Sequence, residues 1–146
     1  MPEHFYTLNL LEEDRLPLAL PLMRLLRPEL ELPEWRALAL PLLDGDDGDP
    51  PEKGIVVAER NGYMRGLFAY HTAPEPDGAK CLIVSFIAMF EIADLDTLSR
   101  VLVNEIAHLA GRLHCARAQV LVDATDSFSR NRLSDPERHI EVLCHA

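Results

Sequence analysis

The chain has 146 residues, 48% of them apolar, with 24 acidic against 14 basic side chains and a formal net charge of −10. That length suits one domain spanning residues 1–146, and that apolar share fills a core, which excludes wholesale disorder. The negative charge opposes nonspecific binding to nucleic acid or an anionic membrane, so neither is expected as a partner.

Residues 4–10 (HFYTLNL) alternate as a first strand should. Glu12, Glu13 and Asp14 then place acids at a helix start, where the helix dipole favours them. The leucine-rich stretch that follows contains Pro17 and Pro21. Proline fits a helix's first turn best, so the expected helix runs over residues 17–27 and Pro28 ends it. A second, short helix is expected from Pro33, carrying Trp35, Leu38 and Leu42.

Residues 44–51 (DGDDGDPP) read as a loop. Asp44, Asp46 and Asp47 superficially suggest a calcium loop. That motif needs Gly at its sixth place and Glu at its twelfth, where this chain has Asp49 and Ile55. A solvated loop is expected instead.

Residues 54–59 (GIVVAE) are a strand. Asn61-Gly62 is a hairpin signal, since both residues tolerate positive φ. Residues 63–71 (YMRGLFAYH) return, and residues 74–78 turn again. Residues 80–90 (KCLIVSFIAMF) are nearly all apolar, as in a central strand buried on both faces. These three strands make an antiparallel meander.

Residues 94–114 form the clearest helix. Leu95, Leu98, Leu102, Ile106, Leu109 and Leu113 recur at three- and four-residue steps along one stripe, and Asp94 or Asp96 can cap its start. Residues 118–122 are then a strand, which after a helical crossover should run parallel to the central one. Residues 127–137 are polar, loop or short helix, and residues 140–144 are a candidate last strand. The fold class is therefore α/β (α+β), a mixed sheet with a meander, one long crossover helix and a following parallel strand.

No apolar run nears the roughly 18 residues that span a bilayer. The start, Met1-Pro2-Glu3-His4, lacks a basic region followed by an apolar stretch, so no signal peptide is expected. Three cysteines, Cys81, Cys115 and Cys144, cannot all pair, and none forms a Cys-x-x-Cys. A reducing, cytoplasmic compartment is the simple reading.

Across about residues 4 to 125 this order of elements resembles the GCN5-related N-acetyltransferase family. The best local match is residues 94–122 (DLDTLSRVLVNEIAHLAGRLHCARAQVLV), similar to that family's cofactor-loop helix and following strand. Asn61-Gly62 matches its usual hairpin. The resemblance implies acetyl-CoA as cofactor and a small amine or protein amine as acceptor. It implies cofactor contacts at Met89, Phe90, Thr97 and Ser99.

The family's pyrophosphate loop reads Arg/Gln-x-x-Gly-x-Gly/Ala, because small residues let backbone N–H groups reach the phosphates. Here the basic place falls on Asp94 and the two glycine places on Thr97 and Ser99. A carboxylate at Asp94 repels pyrophosphate. The family's Asn after the parallel strand falls near Asp126. Its general-acid Tyr falls near Leu133, which has no proton to give. A non-catalytic domain of the same shape, acting in binding or assembly, is therefore the alternative reading, and a small-ligand sensor is a third.

Acyl transfer needs a base for the amine. Glu91, just past the central strand, and His71, at the end of the preceding one, are the candidates, with Glu59 behind them. Each is also an ordinary strand-end residue. His108 and His114 lie six apart, off the i, i+4 metal spacing. His114-Cys115 and Cys144-His145 are ligand types for zinc without motif spacing, so no metal is expected. Ser85 lacks the glycines of a nucleophile elbow and reads as a packed hydroxyl. Arg100, Arg112, Arg117, Arg130, Arg132 and Arg138 gather positive charge in the C-terminal half, as an anion seat or as surface charge. An unpaired sheet edge near the short tail leads to the expectation of a homodimer.

Overall fold

A computed structural model of the chain describes residues 6–44, 48–91, 94–123 and 132–145. Six strands form one sheet: β1 (Thr7–Leu10), β2 (Lys53–Arg60), β3 (Tyr63–Pro74), β4 (Lys80–Met89), β5 (Arg117–Asp123) and β6 (Ile140–His145). Strand order equals chain order. The pairs from β1 to β4 are antiparallel, and β4–β5 and β5–β6 are parallel. The mixed sheet with its meander is thus the predicted one.

Helices α1 (Leu16–Met23) and α2 (Leu32–Leu43) cover one face, and α3 (Leu95–Arg112) covers the other. The reason is the period-two alternation of the strands. Ile55, Val57, Leu67, Ala69 and Ala88 pack with Leu16, Leu22 and Trp35 on the first face. Val56, Phe68, Leu82, Val84, Ile87 and Val120 pack with Leu98, Leu102 and Ile106 on the second. Trp35 is fully buried, and its indole N–H donates to Leu16 O at 2.8 Å. Its ring meets Phe86 edge-on at 6.2 Å, fixing α2 against β4.

Gly66 lets α3 approach the sheet. A Cβ there would stand 3.3 Å from Leu102 Cδ1 and 3.4 Å from both Leu98 Cδ1 and the Ala88 carbonyl. At its other end α3 closes with Cys115 N bonded to Ala110 O at 2.8 Å and His114 N to Gly111 O at 3.2 Å. His114 therefore takes the left-handed position of a Schellman cap, with φ of 59°, where glycine is usual.

Several expected boundaries move. The first helix stops at Met23 rather than residue 27, because Leu25 N and Leu26 N bond three residues back to Leu22 O and Met23 O. The long helix stops at Arg112, since His114 leaves the helical region. Residue 4 lies outside the described residues, as do Asp46 and Asp47 of the acidic loop. The last strand exists and runs parallel to β5, preceded by a 3₁₀ turn at Pro136–Arg138. Among the described residues no helix is long and apolar enough to cross a membrane.

Candidate functional site

The sheet forks between β4 and β5. The two strands pair only where Cys81–Val84 meets Arg117–Val120, although β4 continues to Met89 and β5 to Asp123. The cause lies one residue past the last pair. Ala69 faces Phe86 while Tyr70 faces Val84, so Ser85 is an extra residue in β4. Such a bulge bends its strand and increases its twist, which carries the end of β4 away from β5.

Main-chain groups then face the gap. Phe90 N donates to Arg65 O at 2.7 Å across the β3 side. Antiparallel alternation directs Ala88 the same way and turns the N–H and C=O of Ile87 and Met89 toward the fork.

A charged cluster closes the end of β4 nearest α3. Tyr6 Oη donates to Glu91 Oε2 at 2.8 Å. Arg60 Nη1 lies 3.5 Å from the same oxygen and 3.7 Å from Asp94 Oδ2. Burial and the bond to Glu91 hold the Tyr6 phenol above its ordinary value. Asp94 occupies the N-cap of α3, yet its carboxylate makes no cap bond to backbone and accepts from Thr97 Oγ1 at 3.0 Å instead. Ser99 Oγ donates to Leu95 O at 2.8 Å. Both hydroxyls are buried and spend their protons within the protein.

The remaining expected residues separate. His71 Nδ1 lies 3.4 Å from Ser85 Oγ, at the bulge where the fork begins. Glu59 is held by a two-pronged pair with Arg15, both bonds 2.9 Å, which lowers its carboxyl. Met89 is half-buried at the fork, and Phe90 turns its ring to solvent. Leu133 is fully buried in the core beneath α3. Asp126 and Arg130 lie outside the described residues, as do the side chains of Cys144 and His145. Among the described residues no three His, Cys, Asp or Glu side chains converge as metal ligands.

Three of the six arginines do come together. A groove of about 410 Å³ runs along α3, lined by Arg100, Arg132 and Arg138 together with the carboxylates of Asp96 and Asp135. Arg132 pairs with Asp96, and Arg138 meets Asn104 and lies 3.5 Å from Asp135 Oδ2. The other two described members leave this group, Arg112 to Asp49 and Arg117 to Glu75. Sequence reasoning missed Tyr6 and Arg60 altogether. Arg60 stands immediately before the Asn61-Gly62 turn, and only the hairpin's register aims it at Glu91.

Solved structures, acetyltransferases among them, share this architecture. An aminoglycoside N-acetyltransferase in complex with CoA matches with a TM-score of 0.73 at 10% identity, over 97% of this chain and 91% of its own. A ribosomal-protein-alanine N-acetyltransferase from Brucella melitensis biovar Abortus matches at 0.67 and 16%, over 86% of each chain. A transcriptional regulator from Bacillus halodurans matches at 0.69 and 15%, over 97% of this chain and 99% of its own. No protein-family model matches the sequence, and comparison with curated proteins finds no relative. The fold is that of the GCN5-related N-acetyltransferases.

Proposed function

We propose that this protein binds an acyl-coenzyme A at the β4/β5 fork and passes the acyl group to an amine. The observation that carries this reading is the fork itself, with a groove on α3 that holds three arginines and two aspartates.

The residues fit such a cofactor in a displaced way. The N–H and C=O of Ile87 and Met89 suit an amide-bearing arm laid along a strand edge. The start of α3 suits phosphate poorly, because Asp94 and Glu91 set two carboxylates there and Arg60 offsets only part of that charge. Arg100, Arg132 and Arg138 outnumber the Asp96 and Asp135 carboxylates beside them, which leaves the groove a net positive charge for a diphosphate. The arginines would hold it on the flank of the helix rather than at its tip. When bound, the cofactor supplies a thioester activated toward an amine.

Of the two candidate bases, His71 is the less encumbered. It meets Ser85 at the head of the fork, and Glu91 already accepts from Tyr6. In this reading His71 would take the amine's proton, and coenzyme A would leave as its thiolate. Glu91 keeps the end of β4 in place. The protein acts in the cytoplasm, and the outer edge of β6 pairs two copies.

Calorimetric titration with acetyl-CoA tests the binding step. A saturable signal and a concentration-dependent rise in Tm are expected. No response at millimolar acetyl-CoA overturns the reading. Asp94→Arg should tighten the complex and Arg100→Ala should loosen it.

A second reading, a non-catalytic domain acting in binding or assembly, is favoured by the closed Tyr6–Glu91–Arg60–Asp94 cluster. Cofactor binding without acyl transfer to any of a panel of amines separates the two. Light scattering at high concentration tests the dimer, which a monomer contradicts.

A further inference from the structure

A second cavity lies on the opposite face of the sheet from α3. Side chains of α1, Leu25 just past it, the start of β3 and Phe90 line about 330 Å³, at the small end of the range for small-molecule sites. Its walls are apolar and wet: Leu18 is 61% exposed, Leu25 50%, Tyr63 67% and Phe90 45%. Large apolar groups gathered in one solvent-facing patch mark a binding surface more often than chance exposure does.

One cation stands in this apolar setting. Arg65 lines the cavity, with its guanidinium 5.7 Å from the centre of the Tyr63 ring. Its Nε is buried and meets no hydrogen-bond partner. Among the described residues no carboxylate pairs with it. That is out of place in a chain with 24 acids and 14 bases, where Arg15, Arg24, Arg36, Arg60, Arg112 and Arg117 all have acid partners. A buried guanidinium N–H without an acceptor is a standing cost.

The backbone places it there. Ala58 faces Gly66 and Glu59 faces Met64, so Arg65 is the extra residue of a β-bulge in β3. A bulge re-aims the side chain it carries. The Arg65 carbonyl meanwhile anchors Phe90 N, so the bulge also sets the cavity's far wall.

We propose that this cavity binds a small apolar carboxylate, an aromatic or branched-chain acid or a hydrophobic amino acid. Arg65 takes the carboxylate through a planar pair of N–H groups, and Leu18, Leu25, Tyr63 and Phe90 receive the apolar body. The site does not depend on the fork: it faces the other side of the sheet and needs no cofactor.

Titration of the full chain with phenylacetate, followed by methyl and aromatic NMR shifts, tests it. Phenylacetamide has the same shape without the charge. Saturable shifts confined to Leu18, Leu22, Leu25, Met64, Tyr63 and Phe90 are expected. Both the amide and Arg65→Gln should bind at least tenfold more weakly. Should Arg65→Gln also lower stability, Leu18→Asn carries the test, because that side chain is exposed and its loss leaves the core intact. No saturable binding at millimolar phenylacetate overturns the proposal. So does equal binding of the amide, or binding that survives Arg65→Gln and Leu18→Asn together. Self-association through this patch that excludes the acid overturns it as well.

Discussion

Tyr6 Oη and Glu91 Oε2 meet at 2.8 Å, joining residues 85 positions apart in the chain. The bond ties the approach to β1 to the exit from β4, with Arg60 beside both partners: 3.5 Å from that oxygen and 5.7 Å over the Tyr6 ring. Tyr6→Phe should therefore lower stability at neutral pH by about 1 kcal/mol, the usual net value of one such bond. The same residue sets an alkaline limit. Its folded phenol stays protonated above the ordinary value of 10.0, chiefly because it is buried. The unfolded chain releases that proton first, so the native state binds more protons and stability falls as pH rises through and beyond 10.0. Denaturant titrations of wild type at neutral pH and above 10 should show this loss, and Tyr6→Phe should flatten it. A variant with an unchanged alkaline slope would assign the effect to another group.

Arg15 and Glu59 give the opposite limb. The pair lowers the Glu59 carboxyl below its ordinary 4.5, with the Arg15 bond as the main cause. This contribution is complete above 4.5 and disappears as pH falls through the lowered folded value. Glu59→Gln should be less stable than wild type at neutral pH and converge with it in acid. Parallel curves at all pH values would contradict this.

Gly66 sits where α3 comes down on the sheet, and a Cβ there has contacts of 3.3 to 3.4 Å. A valine adds two methyl groups to a filled space. Gly66→Val should cost about 1 to 3 kcal/mol, the range for overpacking. Leu102→Ala in the same chain should return part of that loss. Additive losses in a double-mutant cycle would show that the two sites do not press on each other.

His114 holds a left-handed conformation with φ of 59°. Its side chain is exposed, so the strain brings no packing in return. His114→Gly should raise stability by about 0.5 to 1 kcal/mol, because glycine adopts this region without a Cβ clash. A drop in Tm would mean that the imidazole makes a contact worth more than the strain.

The elements were legible where a period or a turn is written into a few adjacent residues. The leucine stripe of α3 and the Asn61-Gly62 hairpin are of this kind. The fork was not. It depends on one extra residue, Ser85, and a bulge has no signature in an apolar strand that reads alike with or without it. Arg60 and Tyr6 were invisible for a related reason. Their meeting with Glu91 needs the β1–β2 and β3–β4 registers together, and single-residue slips in either would separate them. The arginines were seen as a charge imbalance, but which of them share a groove depends on how residues 132–138 return to α3.

Strand order that equals chain order has a kinetic consequence. Each antiparallel neighbour from β2 to β4 is reached through a short turn, so those ladders close over small loops. The parallel ladder from β4 to β5 must wait for the whole of α3 to cross over. The fork thus marks a seam between a part of the sheet that closes locally and a part that docks later. Cooperative units of a native protein often divide at such seams. A molecule bridging β4 and β5 would clasp the two together, and its grip would be read in hydrogen exchange of β5 and β6 before it was read anywhere in the meander.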